Sequence, residues 1–250
     1  MASFSERIGK LNTILSGTRR TVFFGGAGVS TESGIPDFRS KDGLYNTMDV
    51  QFEQYSPEYL LSHDCLFYEP KVFFAFYRQK MNVEGIEPNA AHKKLAEMEE
   101  KGRLSGVITQ NIDGLHQKAG SKNVIELHGS TLRNYCSRCH KKVDPDFIFK
   151  SEGIPHCPKC GGMIRPDVTL YGEMLPDGAM EEAERLVRQA DCLIIGGTSL
   201  VVWPAAGLVR YFRGDHLVIM NMQETASDHA ADLIFREKIG TVLGAVEVAP

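Results

Sequence analysis

Apolar and polar positions along the chain follow two different periods. In three segments, apolar residues recur every three or four positions, which is the spacing of one helix face. These segments are 4–17, 88–101 and 177–190. Between them stand short, almost continuous apolar runs of the kind that form buried strands. These runs are 21–24, 104–109, 124–127, 191–196, 217–220 and 233–235. Because strands alternate with helices, the pattern predicts an α/β fold: a Rossmann-like parallel sheet with right-handed crossovers and helices on both faces.

A glycine-rich turn, Gly25–Gly28, follows the first predicted strand, and Ser30–Ser33 after it are residues that open helices well. A strand, a glycine turn and a helix N-terminus together bind anions, because free N–H groups and the helix dipole point at one spot. The expected ligand is the pyrophosphate of a dinucleotide. The glycine spacing alone is a weak signal, since Thr31 stands where a dinucleotide fingerprint has its third glycine. A second strand–glycine–hydroxyl turn occurs at Gly197–Ser199.

A proline turn next to the first glycine turn concentrates reactive side chains. Pro36 is followed by Asp37, Phe38 and Arg39, which place an acid, an aromatic ring and a guanidinium at consecutive positions. Such a density of chemically capable side chains in a loop is typical of a flap that closes over a ligand. The loops after the first strand are therefore the expected centre of a ligand site.

Polar residues also follow two other predicted strands. Gln110–Asp113 comes directly after the run 104–109, and the carboxyl ends of parallel strands are where ligands bind. Its amide and carboxylate groups suit a polar ligand, but Asn and Asp are equally common as helix caps, and both interpretations stay open from the sequence. His128 directly follows the run 124–127 and precedes a glycine. This position favours exposure to a cleft. Imidazole accepts a proton near neutral pH, as a general base must.

Four of the six cysteines form two matched Cys-x-x-Cys pairs, with 17 residues between the pairs. They are Cys136, Cys139, Cys157 and Cys160. This spacing is that of zinc ribbons, and two matched pairs in a chain without a secretory signal indicate a metal site rather than disulfides or a redox pair. Four thiolates complete the zinc tetrahedron and leave no open position, so the zinc is expected to hold structure and to do no chemistry.

The remaining pattern predicts a second, smaller domain. Residues 41–85 are rich in aromatic side chains and helical in spacing, and such clusters are usually core. Together with the cysteine module at 131–165 they are expected to form a helical and zinc-binding lobe. The Rossmann-like domain then comprises residues 1–40, 86–130 and 166–250.

Composition excludes several classes of protein. The 250 residues are 42% hydrophobic, which is enough for a sizeable core and argues against disorder. The formal net charge is −4 and no long basic run occurs, so nucleic acid is not an expected partner. No apolar run approaches the ~18 residues of a membrane-spanning helix, and the N-terminus lacks the pattern of a secretory signal. The sequence therefore predicts a cytoplasmic protein that does not bind membranes.

Taken together, the motifs resemble those of the sirtuin family, the NAD-dependent protein lysine deacylases. The matching stretches are GAGVSTESGIPDFRS, TQNIDGLHQKAG, HGS, the two cysteine pairs, RPDVTLYGE and GTSLVVWPAA. They occur in the family's order between residue 21 and about residue 207, and their detail is most similar to that of bacterial members. Several motifs in this order are a specific signal, unlike the glycine turn alone.

The resemblance implies how NAD, a co-substrate, is bound. The first glycine turn would hold the pyrophosphate, the proline turn would close over the nicotinamide ribose, and Asn111 with Asp113 would form the nicotinamide pocket. Asn221 would meet the adenosine ribose and Ile239 the adenine. The implied NAD-binding residues are Gly26, Ala27, Gly28, Thr31, Asp37, Phe38, Arg39, Gln110, Asn111, Ile112, Asp113, His128, Gly197, Thr198, Ser199, Asn221 and Ile239.

The resemblance also implies the reaction and the substrate. The acyl oxygen of a modified lysine attacks the anomeric carbon, and His128 removes a ribose hydroxyl proton. The implied catalytic residues are His128, Asn111 and Asp113. The products are nicotinamide, O-acyl-ADP-ribose and the free lysine, while zinc stays structural. The peptide would add as a strand between two loops, with its acyl-lysine in a tunnel. The implied peptide and tunnel residues are Phe38, Thr169, Tyr171, Gly172, Glu173, Val201 and Val202.

Two departures from the family pattern affect substrate choice. Thr169 stands where the family commonly has a branched apolar residue. Members that remove acidic acyl groups carry a Tyr-x-x-Arg pair, whereas the aligned residues here are Ala75 to Arg78, without that tyrosine. Arg78 is interpreted as a solvated helix charge, so the sequence predicts a preference for neutral acyl groups.

Three other functions compete with deacylation. Transfer of ADP-ribose from NAD to protein needs the same pocket and is the alternative that the sequence leaves open. A module that only binds NAD would not need the set Asp37, Asn111, Asp113 and His128. A dehydrogenase would need a ribose-binding acid after its second strand, which is missing.

Overall fold

The computed structural model describes residues 2–38, 40, 43–44 and 49–248. Within these residues the α-helices are α1 (Phe4–Gly17), α2 (Pro57–Leu60), α3 (His63–Tyr68), α4 (Pro70–Lys80), α5 (Ala90–Glu100), α6 (Leu115–Lys118), α7 (Asp146–Lys150), α8 (Ala179–Gln189) and α9 (Ile239–Gly244). The strands are β1 (Thr21–Gly25), β2 (Gly106–Thr109), β3 (Val124–Glu126), β4 (Gly129–Cys136), β5 (Lys142–Val143), β6 (Ile164–Val168), β7 (Cys192–Gly196), β8 (His216–Met220) and β9 (Leu233–Phe235).

Six parallel strands form the main sheet in the order β3-β2-β1-β7-β8-β9. This is the doubly wound order, in which the chain starts in the middle and builds outward first on one side and then on the other. The order reverses between β1 and β7, where Gly25 lies opposite Gly196. The predicted Rossmann-like α/β fold is confirmed, and its ligand crevice is expected at this reversal.

Both faces of the sheet are covered by helices, which is why its strands read as unbroken apolar runs. Phe23 of β1 is fully buried on the face covered by α1, α5 and α9, where it joins Leu95. Its neighbour Phe24 is fully buried on the opposite face, together with Val187 of α8. Complete burial of each phenylalanine contributes about 1.5–3 kcal/mol of hydrophobic stabilisation.

A second, antiparallel sheet carries the cysteine module. Its order is β5-β4-β6, and it packs with α2, α3, α4 and α7 around one apolar core. The aromatic side chains of α4 are fully buried in that core, as their density in the sequence predicts. The same core contains Cys136 and Cys157, so the helical and cysteine-bearing segments pack as one lobe.

One predicted helix is wrong. Ser30–Ser33 was expected to open an α-helix, but the chain there forms two single 3₁₀ turns, Ala27–Val29 and Thr31–Ser33. Gly34, with φ +92°, ends the second turn. The Ser30 hydroxyl does not cap a helix, because it is hydrogen-bonded to Asp113 instead.

Among the described residues, no helix has the length and apolar character needed to cross a membrane.

Candidate active site

The two glycine turns meet at the point where the strand order reverses. The N–H of Gly28 donates to the carbonyl of Gly197 over 2.8 Å, and that of Gly26 donates to Gly196 over 3.2 Å. A Cβ on Gly28 would lie 2.8 Å from the Gly197 Cα, and Gly197 itself has φ +58°. Only glycine permits this close approach at the carboxyl ends of β1 and β7. Two glycine turns that meet at the strand-order reversal fit the pyrophosphate of a dinucleotide.

A serine hydroxyl joins the first glycine turn to the loop after β2. Ser30 Oγ donates to Asp113 Oδ2 over 2.6 Å and accepts from Asn111 Nδ2 over 3.0 Å. The other carboxylate oxygen of Asp113 accepts from the Leu115 N–H over 2.9 Å. Burial raises the pKa of Asp113, and the bonds from Ser30 and Leu115 oppose that rise. The side chain of Asp113 thus links the first glycine turn to the start of α6.

His128 is half-buried beside this loop, with one ring nitrogen already committed. Its Nδ1 lies 2.9 Å from the main-chain oxygen of Gln110. A carbonyl can only accept, so Nδ1 carries the proton and Nε2 keeps the lone pair. Burial lowers the pKa of His128, and the Gln110 carbonyl partly offsets this. The imidazole is therefore neutral at pH 7, which is the form that a general base needs.

Gln110 links the base to the second glycine turn. Its N–H donates to Gly25 O over 3.0 Å, and its side-chain Nε2 donates to Thr198 Oγ1 over 3.0 Å. The same hydroxyl accepts from the Leu200 N–H over 3.2 Å. One residue thus contacts β1, the imidazole and the turn after β7, and it ties together the three sides of the crevice.

Several other predicted NAD-binding residues can be placed by their element and contacts. Thr31 is exposed and its hydroxyl donates to Gly28 O over 3.0 Å. Ile239 is buried at the start of α9, and Asn221 directly follows β8. Phe38 packs on the core of the smaller lobe, and the Asp37 carboxylate accepts from the Ser40 N–H. Arg39 lies outside the described residues.

Sequence reasoning missed the roles of two residues in the first glycine turn. Ser30 was interpreted only as a helix opener, although it bonds both Asn111 and Asp113. Glu32 Oε2 accepts from the Gly240 N–H over 2.6 Å and so fixes the start of α9 against the turn. The residues that Ser30 and Glu32 contact are all more than 80 residues away in the chain. No local pattern could therefore reveal these contacts.

The four paired cysteines converge at one point of the smaller lobe. All four Sγ atoms lie within 4.8 Å of one another, with 3.5 Å between Cys136 and Cys160 and 3.8 Å between Cys139 and Cys157. A tetrahedron with Zn–S bonds of ~2.3 Å has edges of roughly 3.8 Å, so this donor set fits zinc. Burial raises the pKa of the Cys136 thiol, but hydrogen bonds from the N–H groups of Cys139 and Arg138 outweigh this and lower the pKa to about 6.

Apart from Phe38, the predicted substrate residues fall on two loops, one of which contacts His128. The Thr169 N–H donates to His128 O over 2.9 Å, and Tyr171 pairs with the α2–α3 junction. Gly172 is exposed, with φ +89°. The Glu173 carboxylate forms an ion pair with Arg165, at the start of the same segment. On the other loop, Val201 is exposed and Val202 half-buried.

The expectation that Arg78 is a solvated helix charge is wrong. Its guanidinium donates to the carbonyls of Ile148 and Gly153, each over 2.7 Å, and to Ser151 Oγ over 3.0 Å. It also lies 5.5 Å from the centroid of the Phe74 ring. Arg78 therefore holds the end of α7 and is not directed at a ligand.

Comparison with known proteins agrees with this geometry. A model of the Sir2 family matches residues 26–204. A curated NAD-dependent protein deacetylase of Clostridium perfringens is 54% identical, over 96% of this chain and 98% of that protein. Another, from Cutibacterium acnes, is 52% identical over 92% of this chain and 93% of that protein.

Solved structures show the same fold. A Sir2 homologue in complex with NAD has a TM-score of 0.85 at 40% identity, covering 94% of this chain and 91% of that chain. A Sir2 protein with a propionylated peptide has a TM-score of 0.83 at 39% identity, covering 94% and 95%. The family model spans most of the chain, and the curated relatives span nearly all of it. The chain belongs to the Sir2 family.

Proposed function

We propose that this protein is an NAD-dependent protein lysine deacetylase. The reaction takes NAD, an acetylated lysine and water, and it yields nicotinamide, O-acetyl-ADP-ribose and the free lysine. The observation that carries the proposal is His128, whose Nδ1 is bonded to the carbonyl of Gln110, the residue that also bonds the main chain of β1 and the turn after β7. Analysis of the products formed from an acetylated peptide and NAD tests it. ADP-ribosylation of protein, the alternative, is not favoured, because the curated relatives are named deacetylases.

The crevice residues divide the work of holding NAD. The first glycine turn holds the pyrophosphate, and the proline turn covers the nicotinamide ribose. The turn after β7 and the residues after β8 hold the adenosine half. In chain order the proposed contacts are Gly26, Ala27, Gly28, Thr31, Asp37, Phe38, Arg39, Gln110, Asn111, Ile112, Asp113, Gly197, Thr198, Ser199, Asn221 and Ile239.

Two polar groups assist the departure of nicotinamide, and one base completes the transfer. Asp113, steadied by Ser30 and Leu115, accepts a hydrogen bond from the carboxamide, and Asn111 lies beside it. This holds the ring out of line with its ribose and favours cleavage of the C–N bond. His128 Nε2 then takes the proton of a ribose hydroxyl, which becomes the acceptor of the acyl group.

The acylated peptide binds through its main chain. It lies as an added strand between the loops at Gly172–Glu173 and Val201–Val202, so selectivity for its sequence is loose. The acyl-lysine enters between Phe38, Thr169 and Tyr171. The position of Thr169, hydrogen-bonded to the main chain of His128, supports this path to the base.

The smaller lobe comprises residues 41–85 and 131–165, and the rest of the chain forms the NAD-binding domain. The single core that joins α4 to the cysteine module supports this division. Zinc on the four cysteines supplies structure. A cytoplasmic location is supported by the six cysteines, none of which forms a disulfide within the described residues.

The pH dependence of the reaction is expected to report the buried imidazole. Burial lowers the pKa of His128 below its ordinary value of 6.5. The neutral form is the active one, so kcat/KM stays on its plateau at pH 7 and falls only as the pH drops below 6.5. Steady-state kinetics between pH 5 and 8 measure the limb, with the exposed His229→Ala as a matched control of identical profile. A limb centred above pH 6.5 would contradict this role.

Acyl groups that carry a charge are expected to react poorly. Arg78 is committed to the end of α7, and the proposed tunnel residues Phe38, Thr169 and Tyr171 carry no cation. Among the described tunnel residues a succinyl carboxylate would therefore find no cationic partner, and we expect kcat/KM to fall roughly 100-fold or more against acetyl. Matched peptides that differ only in the acyl group measure this ratio. Equal rates for acetyl and succinyl would refute it.

A further inference from the structure

We propose that the ion pair between Arg165 and Glu173 is a positioning pair for the acylated peptide. It closes residues 165–173 into a loop and holds the peptide-binding edge at a fixed distance from His128. The inference rests on the proposed function, since it assigns to these residues the placement of that reaction's substrate.

The pair is short, bidentate and largely buried. Arg165 Nη1 lies 2.6 Å and Nη2 2.8 Å from the two carboxylate oxygens of Glu173. Only 11% of the arginine and 17% of the glutamate side-chain surface is exposed. Arg165 also donates to the carbonyl of Val168 over 3.1 Å, and Glu173 accepts from the Leu170 N–H over 3.0 Å. Both partners therefore also bind the main chain of the loop that they close.

Glu173 stays ionised at the pH at which the enzyme works, and this keeps the ion pair intact. Burial raises the pKa of Glu173, but the bonds from Arg165 and the Leu170 N–H outweigh this and hold it below its ordinary value of 4.5. The face of the guanidinium lies 5.6 Å from the ring centroid of Tyr135 on β4. Arg165 is thus held on one side by a ring and on the other by the carboxylate.

The loop that the pair closes contacts both His128 and the junction of α2 and α3. Its Thr169 N–H bonds to the carbonyl of His128. Two residues on, Tyr171 donates to Leu61 O over 3.0 Å and accepts from the His63 N–H over 2.9 Å. Gly172 then turns the chain at φ +89°, and Glu173 returns to Arg165. The base and the helical lobe fix the middle of the loop, and the ion pair fixes its end.

The same pair connects the loop to the cysteine module. Arg165 stands on β6 opposite Tyr135, and the preceding Ile164 stands opposite Cys136. A shift of the zinc-bound strands would therefore move the arginine and, through it, Glu173. This gives the structural zinc a physical route to the substrate edge, although it does no chemistry.

A purely stabilising role is the competing interpretation. Buried ion pairs contribute little net stability compared with apolar residues of the same size, because desolvation offsets their attraction. A pair placed at the end of a substrate loop is better explained by the geometry that it imposes. The two roles differ in outcome, since a stabilising pair would change peptide and NAD binding alike or neither.

The test measures dissociation constants of two ligands for the zinc-loaded protein. The probes are a fluorescent acetyl-lysine peptide and NAD, and the variants are Glu173→Gln, Arg165→Met and the double change. We expect peptide binding to weaken about tenfold or more in each, with the double no weaker than the singles, because they break one unit. NAD binding should change less than about twofold. Lys150→Met, which breaks an exposed pair with Asp146 on α7 of the smaller lobe, should bind both ligands as wild type does.

Each other outcome counts against the pair. Unchanged peptide binding, or equal losses for peptide and NAD, would overturn the inference. Should Arg165→Met fail to fold, Arg165→Lys keeps the charge but loses the bidentate bonds, and normal peptide binding by that variant would overturn it too. Wild type that binds peptide but turns none over would count against the proposed function alone.

Discussion

Replacing His128 by alanine is expected to abolish deacetylation. The imidazole is the group whose free nitrogen lies beside the proposed ribose site, and removal of a general base costs about 10²- to 10⁴-fold in rate. Its Nδ1 makes one hydrogen bond, to Gln110 O, so the loss to folding is small compared with the loss to catalysis. The effect is measured at saturating NAD, with chromatography used to monitor the release of nicotinamide and of deacetylated peptide.

A second histidine variant separates catalysis from general damage. His229 is exposed on the 3₁₀ turn Asp228–Ala230 and is not among the proposed NAD or peptide contacts, so His229→Ala should turn over like wild type. The thermal midpoint of His128→Ala should stay close to that of wild type. Full turnover by His128→Ala would remove the base from the mechanism.

Loss of one zinc ligand is expected to unfold the smaller lobe. Structural zinc contributes about 10–16 kcal/mol in small zinc-binding peptides, which is comparable to the whole stability of a domain. Cys136 is buried in the core that also holds Phe73, so Cys136→Ala removes a ligand and leaves the remaining thiols with an incomplete site. Zinc content by elemental analysis and the thermal midpoint with and without chelator measure the change.

Cys192 offers a matched control for this variant. It is fully buried in β7, but it lies outside the four-cysteine cluster, so Cys192→Ala should keep one zinc per chain. Its cost should be limited to the loss of one small buried group, about 1 kcal/mol. A chain that retains its midpoint after complete removal of zinc would contradict the structural role.

The main sheet could be predicted from the sequence because its signals are local. The residues of β1 are buried on both faces, so they form an unbroken apolar run, and the same holds for β7. The prediction of a helix at Ser30–Ser33 was wrong because the Ser30 hydroxyl is hydrogen-bonded to Asp113, 83 residues further on. A good helix opener was overridden by a contact between two loops.

The site residues also divide into those that local sequence predicts and those that depend on distant contacts. The four cysteines meet as their spacing predicts, because each pair is set by its own short turn. His128 could not be singled out by chemistry from the other histidines, and its link to Gln110 depends on the pairing of β2 with β3. His116, in the neighbouring motif, is buried against Phe23 and has no access to the crevice.

Charged side chains were the least predictable part. Arg78 appears solvated in its helical pattern, yet its partners are 70 or more residues away on and after α7. The ion pair between Glu173 and Arg165, eight residues before it, was also not predicted. Long side chains reach partners that depend on tertiary packing, and their pattern in the sequence carries little information about them.

Mass spectrometry of the products from an acetylated peptide and NAD tests the proposed reaction most directly. We expect nicotinamide, deacetylated peptide and acetyl-ADP-ribose in equal amounts, with none formed when NAD is left out. Free acetate with NAD left intact, or ADP-ribose attached to the peptide in place of acyl transfer, would contradict the proposed chemistry.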